Sequence, residues 1–199
     1  MNQTKEKYLQ VIFDQFMKFG IKSVTMADIS KNLSISKKTL YKYFKDKDDI
    51  VDTLMMLDIE EEKELMENTC CLAGNAIEET YAFSAIIAEK LKGLNTSVMY
   101  DLEKYHKKTW AKFIEHKRGY VNECIKNNLE RGLNEGLYRK NLNPEVVSKL
   151  YSEKIDLLFD MDLFPSDKFS FEEVYAEMMR YHLKGIVSKE GLKYLKEKE

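Results

Sequence analysis

Lysines and tyrosines are concentrated in the stretch SISKKTLYKYFKDKDDI, within which a helix is expected to begin. Ser36 can cap that helix, so Lys37 and Lys38 fall in its first turn. A cation at this position costs about 0.3–1 kcal/mol, because the free backbone N–H groups there already carry partial positive charge. The placement therefore predicts a negatively charged partner at this end of the helix.

Short helices with clear start and stop signals surround these lysines. A first helix ends at Gly20, and its apolar positions recur at helical spacing: Leu9, Ile12, Phe13, Phe16 and Phe19. Thr25 and Asp28 form a capping box that starts a second helix of about two turns. Asp46 can cap a fourth helix that runs towards residue 68. Two short helices joined by a turn of about three residues, as the second and third are, form a helix-turn-helix pattern.

The composition favours an all-α protein with a charge asymmetry along the chain. Of 199 residues 44% are hydrophobic and 33% charged, with only 2 Pro and 8 Gly to interrupt helices. Residues 1–47 hold ten lysines against four acidic residues, a net charge of +6, whereas the remainder carries −8. This asymmetry indicates a nucleic-acid-binding module on a larger body, and a solvated charged face without a partner is the alternative.

The rest of the chain predicts a second, larger helical unit. Helices are expected at 75–92, 95–105, 107–135, 144–161 and 171–187, with a short one at the C-terminus. The predicted fold is all-α, with an N-terminal three-helix helix-turn-helix domain, residues 1–47. A larger C-terminal helical domain for dimerisation and ligand binding is expected over residues 48–199.

Several other classes of protein are not favoured. Cys70, Cys71 and Cys124 are an odd number and do not indicate a disulfide framework, and no apolar segment is long enough to span a bilayer. We therefore expect a cytoplasmic protein without a membrane partner. Glu103 and His106 place a carboxylate and an imidazole three residues apart, but pairs with this spacing are common on solvated helix faces. We expect no enzyme, no catalytic residues, no metal site and no cofactor.

The N-terminal region resembles the tetracycline-repressor (TetR) family of bacterial transcriptional regulators. The resemblance lies in FMKFGIKSVTMADISKNLSISKKTLYKYFKDKDDIV, where these residues match the family pattern in register: Phe16, Gly20, Thr25, Ile29, Ile35, Ser36, Leu40, Tyr41, Phe44 and Lys47. The sequence departs from the pattern at three positions. Ser34 replaces a usual Gly in the turn, Ser30 replaces a usual Ala, and Lys38 replaces a residue that is often small.

The resemblance implies that the third helix enters the major groove of double-stranded DNA. Lys37, Lys38 and Thr39 are the candidates for contacts to base edges and nearby phosphates. The full set of expected DNA-binding residues is Thr25, Ser36, Lys37, Lys38, Thr39, Tyr41, Lys42, Tyr43 and Lys47. Thr25 and Ser36 would be helix caps even without DNA, and Tyr41 would pack even without a phosphate partner.

The resemblance also implies a homodimer, which suits a palindromic operator. The expected interface residues are Val147, Leu150, Tyr151, Leu158, Tyr175, Met178, Met179 and Ile186. The alternative is that this apolar stripe faces the core of its own chain.

A small-molecule effector of unknown identity is implied as well, in a pocket between the middle helices. The expected lining is Phe83, Ile87, Met99, Tyr100, Tyr105, Trp110, Phe113 and Cys124, although a stripe of methionine and aromatic residues is often ordinary core. The predicted function is a regulator, by family default a repressor, that an effector releases from its operator. The alternative function is a helical interaction or membrane-surface adaptor without specific DNA binding.

Overall fold

The protein is described by a computed structural model, in which residues 3–91, 97–160, 162–165 and 167–198 are described. The helices are α1 Gln3–Phe19, α2 Met26–Asn32, α3 Lys37–Tyr43, α4 Lys47–Leu72, α5 Ala76–Leu91, α6 Ser97–Tyr105, α7 Lys107–His116, α8 Asn122–Asn134, α9 Pro144–Leu157, α10 Phe171–Ile186 and α11 Lys189–Lys198. A π-helical turn, Lys117–Val121, joins α7 to α8. No strand forms within the described ranges, so the predicted all-α class is confirmed.

The helix boundaries differ from the sequence prediction in three places. The helix expected over 107–135 contains the π-helical turn, where the backbone register shifts. The helix expected over 144–161 ends at Leu157, and α4 continues four residues beyond the expected end, to Leu72. Predicted helix residues 92, 95, 96 and 161 lie outside the described residues. None of the described helices is long and apolar enough to cross a membrane.

The chain forms two compact units that do not follow the sequence order. The first unit comprises Met1–Glu61 and Leu94–Ile114, and the second comprises Glu62–Gly93 and Glu115–Glu199. Helix α4 contributes residues to both units. The first unit is therefore larger than the predicted DNA-binding domain of residues 1–47, because it also contains α6 and most of α7. That narrower domain assignment stays a prediction.

The core of the first unit joins the helix-turn-helix to α6. Its fully buried members include Phe16 of α1, Ile29 of α2, Leu40 of α3 and Ile50 of α4, together with Leu102 of α6. Phe44 is buried beside them, whereas Leu33 and Ile35, which the sequence also indicates as core, are half-buried and pack against it. Burial of side chains this large contributes roughly 1.5–3 kcal/mol each, so α6 is an integral part of this unit.

The second unit has two apolar clusters. One contains Ile77, Leu129, Tyr138 and Leu183, and the other is built from α9 and α10. Tyr138 packs against Gly132 so closely that a Cβ at Gly132 would lie 2.1 Å from the tyrosine ring. The second cluster contains four of the predicted dimer residues: Tyr151, Leu158, Tyr175 and Met179.

Candidate nucleic-acid interface and ligand cavity

Side-chain caps fix the beginnings of α2 and α3. Thr25 N donates to Asp28 Oδ2 at 2.9 Å and Asp28 N donates to Thr25 Oγ1 at 3.2 Å, which is the predicted capping box. Thr39 N donates to Ser36 Oγ at 3.0 Å, so Ser36 is the N-cap of α3, as predicted. Both caps satisfy backbone donors that the first turn of a helix leaves free. DNA contact by Thr25 and Ser36 stays a prediction.

The turn between α2 and α3 contains a residue in a left-handed conformation. Ser34 has a φ of 54°, and its N–H donates to Lys31 O at 3.1 Å. The next residue, Ile35, donates to Ser30 O at 3.0 Å. A left-handed conformation is unfavourable for a residue with a Cβ atom. Ser34 is the position where the TetR pattern usually has Gly, a residue that adopts a positive φ readily.

One surface of α3 is basic, and its lysines make no ion pair with the described residues. Lys37, Lys38 and Lys42 are exposed, and none of them forms an ion pair with any described residue. Tyr41 is 51% exposed, Thr39 is half-buried, and Leu40 points into the core. The tight packing of the opposite side of α3 leaves these side chains available to an external anion.

Exposed lysines in the first turn of a helix are not confined to α3. Helix α7 also begins with two lysines, Lys107 and Lys108, both exposed and with no acidic residue in the first turn. What distinguishes α3 is its place after a tight turn and a capped short helix, which is the helix-turn-helix arrangement.

Two of the predicted DNA-binding residues have interactions within the first unit. Tyr43 is half-buried, and its ring packs edge-on against Tyr8 with 5.2 Å between ring centroids. Lys47 Nζ donates to the backbone oxygen of Lys22 at 3.3 Å, and burial lowers the pKa of the Lys47 ammonium. Both residues therefore help to hold the module together, and phosphate contact by either stays a prediction.

A buried carboxylate of α6 binds the loop between α1 and α2 by a hydrogen bond. The backbone N–H of Lys22 donates to Asp101 Oδ2 at 2.7 Å, and Asp101 is 5% exposed. Gly20, just before, has a φ of 79°, and a Cβ there would lie 2.8 Å from Ser97 Oγ. The loop thus fits closely against α6, while Lys47 holds it from α4.

Helix α7 and the turn before it are tied to α4 by polar contacts. Asp52 accepts hydrogen bonds from Thr109 at 3.1 Å and from Lys112 Nζ at 2.8 Å. Asp48 Oδ1 lies 2.7 Å from His106 Nδ1, a short contact that lacks the geometry of a hydrogen bond. These contacts connect α7 and the turn before it to α4, the helix that directly follows α3.

The second unit contains a cavity of about 400 Å³. It is lined by Met66, Glu67, Thr69, Cys70, Cys71, Glu79, Thr80, Phe83, Tyr120, Cys124, Ile125, Asn127, Asn128, Leu129, Arg131, Tyr151 and His182. All three cysteines of the chain are among these residues. Even so, no group of three or more His, Cys, Asp or Glu in the described part of the chain is arranged to hold a metal ion.

Only two of the eight predicted pocket residues, Phe83 and Cys124, line this cavity. Ile87 packs beside the apolar cluster of α9 and α10. The other five lie in the first unit: Met99, Tyr100, Tyr105, Trp110 and Phe113. The prediction is wrong in placing these six at the cavity. Five lie on α6 and α7, which belong to the first unit, and Ile87 of α5 packs against the apolar cluster of α9 and α10 instead. The end of α4, whose Met66, Glu67 and Cys70 line the cavity, was not predicted from sequence.

The predicted dimer residues are mostly buried within their own chain. Tyr151, Leu158, Tyr175, Met179 and Ile186 are each at most 7% exposed, so they cannot form a surface. Val147 and Met178 are half-buried, and Leu150 is 59% exposed. Helices α9 and α10 carry apolar residues on two sides. The spacing of these residues in the sequence does not show which side is buried in the chain and which is exposed. The exposed apolar residues are Val146, Leu150 and Leu157 of α9 and Tyr181 of α10.

The comparisons with known proteins agree with this architecture. Residues 9–54 match the sequence model of bacterial regulatory proteins of the tetR family. The chain is 26% identical over 179 residues to the uncharacterized HTH-type transcriptional regulator YvaF of Bacillus subtilis, covering 84% of this chain and 88% of that protein.

Solved structures share the fold at low sequence identity. A regulator from Saccharomonospora viridis in complex with choline is similar with a TM-score of 0.78 at 14% identity, covering 95% of this chain and 100% of that one. FadR from Bacillus subtilis in complex with stearoyl-CoA has a TM-score of 0.70 at 18% identity, with coverages of 91% and 98%. Residues 9–54 therefore form a helix-turn-helix DNA-binding domain of the TetR family, and the chain as a whole shares its fold with transcriptional regulators.

Proposed function

We propose that this protein binds a palindromic operator as a homodimer, represses transcription there, and is released by a small-molecule effector. The observation that carries the DNA-binding part is the basic surface of α3. Lys37, Lys38 and Lys42 are exposed and make no ion pair in the described structure, on the helix that the family motif assigns to the major groove.

The caps and the turn orient this surface. Ser36 and Thr39 sit at the N-terminal end of α3, where base edges would be reached, and Lys37 and Lys38 lie beside them. Tyr41 and Lys42 are exposed farther along the helix, where hydroxyl and ammonium groups can reach phosphates. Thr25 is at the start of α2, whose free N–H groups offer a further phosphate site.

Dimerisation is supported by an exposed apolar surface on the second unit. Leu150 and Leu157 lie two turns apart on α9, at 59% and 47% exposed, and Tyr181 of α10 is 71% exposed. Lys154 Nζ lies 5.0 Å from the Tyr181 ring centroid, so the exposed sides of the two helices adjoin. Exposed apolar groups that cluster in this way are typical of an interface, and a two-fold dimer presents two recognition helices to a palindrome.

The cavity of the second unit supports the effector part of the proposal. Its volume of about 400 Å³ is within the range of sites for small organic ligands. Structures of similar fold have been solved with choline and with stearoyl-CoA. In this protein an effector would act by favouring a conformation with lower operator affinity.

The test is binding of the purified protein to DNA from its own upstream region, followed by fluorescence anisotropy at several salt concentrations. The Lys37→Ala/Lys38→Ala variant should bind more weakly and with a weaker salt dependence. Each lost phosphate contact reduces the slope of log K against log salt by about 0.9, so a dimer that loses four contacts should lose about 3.6.

The structure offers a matched control in Lys107→Ala/Lys108→Ala. This variant removes the same charge from two exposed lysines in the first turn of α7 in the same unit. It should change the slope of log K against log salt by less than about 0.9, the contribution of one phosphate contact. Equal losses in both variants would indicate nonspecific charge attraction. Unchanged operator binding by the α3 variant would favour the adaptor alternative.

A further inference from the structure

The cavity lining combines apolar side chains with a small number of polar groups. Met66, Phe83, Ile125 and Leu129 present hydrocarbon or aromatic surface. A ligand that fills this space must therefore carry a substantial apolar body. What selects among apolar ligands is the charge of the polar groups around them.

Arg131 is the only Arg or Lys in the lining, and its guanidinium is already hydrogen-bonded within the protein. Arg131 Nη1 donates to Glu79 at 2.9 Å, its Nε donates to Glu135 at 2.8 Å, and its Nη2 donates to the backbone oxygen of Ala73 at 2.9 Å. One guanidinium thus faces two carboxylates, which leaves a net negative charge. An anionic ligand would find no free cation among the lining residues.

A second carboxylate in the lining has no cationic partner among the described residues. Glu67 is exposed, and its Oε1 accepts a hydrogen bond from Tyr120 Oη at 3.1 Å. Lys63 lies outside the lining, and its Nζ is 5.8 Å from the Tyr120 ring centroid. Glu67 is therefore free to accept a charge-assisted contact from a ligand.

The remaining titratable groups of the lining add no positive charge. Burial, and then the carboxylate of Glu79, raise the pKa of the Cys70 thiol, and burial raises the pKa of Cys124. Burial lowers the pKa of His182 to about 4, so this imidazole is neutral at pH 7. His182 is 7% exposed, contacts the Tyr151 ring, and makes no hydrogen bond within the described residues.

We infer that the cavity binds an amphiphilic organic cation, with its apolar body among Met66, Phe83 and Leu129 and its positive group beside Glu67. This inference rests on the proposed function, because it names the chemical class of the effector. The surplus of carboxylates over bases attracts a monocation and disfavours a carboxylate of the same size. The neutral His182 imidazole offers a hydrogen bond to a polar group elsewhere on the ligand.

The test compares three probes with the same chain length by isothermal titration calorimetry, at concentrations below micelle formation. Decyltrimethylammonium is the cation, decanoate the anion and 1-decanol the neutral probe. We expect the cation to bind at least about tenfold more tightly than decanoate and more tightly than decanol. Equal or tighter binding of either other probe overturns the inference, as does the absence of binding by all three.

Variants of α4 locate the charge that matters. Glu67→Gln keeps an acceptor for the Tyr120 hydroxyl and should reduce affinity for the cation about twofold to fivefold, as expected for a partly exposed ion pair. Glu64→Gln makes the same change three residues away, at an exposed position outside the lining, and should have no effect. Equal effects of the two variants would place the cation elsewhere and overturn the inference.

A DNA-binding measurement separates this inference from the proposed function. Tight and selective cation binding without any change in operator affinity would support the ligand class and refute effector release. Operator binding that persists while no cation binds would refute the ligand class and leave the DNA-binding regulator standing.

Discussion

Removal of the Asp101 carboxylate should destabilise the first unit by a defined amount. Asp101 accepts a hydrogen bond from the Lys22 N–H at 2.7 Å and is 5% exposed. A hydrogen bond to a charged group contributes about 1.5–3 kcal/mol, and a buried donor left without a partner adds a desolvation cost. Asp101→Ala should therefore lower the free energy of unfolding by about 2 kcal/mol or more.

A graded series distinguishes the hydrogen bond from the charge. Asp101→Asn keeps an oxygen acceptor but makes the bond neutral, which is roughly half as strong, so its loss should be about 1 kcal/mol. Glu103→Ala removes the same charge from an exposed position on the same helix and should change stability by less than about 0.5 kcal/mol.

Urea denaturation followed by tryptophan fluorescence suits this measurement. The chain has a single tryptophan, Trp110, which packs against the core of the first unit and so reports on that unit. The expected order of stability is parent and Glu103→Ala, then Asp101→Asn, then Asp101→Ala. If Asp101→Ala and Glu103→Ala denature at the same urea concentration, the carboxylate does not hold the loop and the reasoning is wrong.

Two further predictions concern the turn and the buried imidazole. Ser34→Gly should raise the free energy of unfolding by about 0.5–1 kcal/mol, because Gly adopts a φ of 54° without strain. Ser34→Ala keeps the Cβ atom and should not raise it. Equal midpoints of the two variants in thermal melts would refute strain at this turn. His182 has a folded pKa of about 4, below its ordinary value of 6.5. Burial of the neutral imidazole is therefore fully compatible with the folded state above pH 6.5. As the pH falls from 6.5 towards 4, the free energy of unfolding should decrease by on the order of 3 kcal/mol, because the unfolded chain binds a proton at His182 and the folded chain does not. His182→Phe should lack this part of the pH dependence in urea titrations, and an unchanged pH profile would contradict the assignment.

The helix-turn-helix was accessible from sequence because its signals are local. A cap such as Thr25 or Ser36 acts on backbone groups two or three residues away, so the residue types alone define where α2 and α3 begin. The unusual Ser34 was identified from its departure from the family pattern, and the structure shows that this residue has a positive φ. The exposure of the α3 lysines was predictable because the apolar residues of α3 lie on its opposite side, which is buried.

The cavity and the exposed surface were not accessible from sequence, because both depend on which helices meet. Trp110 and Tyr105 have the same apolar character as Phe83, yet α6 and α7 pack on the first unit and α5 on the second. Likewise Tyr151 and Leu150 are neighbours on α9, but one is buried and the other is 59% exposed.

Sequence by itself thus determined the helical class, the starts of α2 and α3 and the basic surface of α3, since each depends on interactions within a few residues. Tertiary structure alone decided the partners of α6, the residues around the cavity and the saturation of Arg131 by Glu79 and Glu135. An apolar stripe at helical spacing specifies that a helix will be buried on one side, but it does not specify against which helix. That choice is made by long-range packing, and the charge left inside the cavity follows from it.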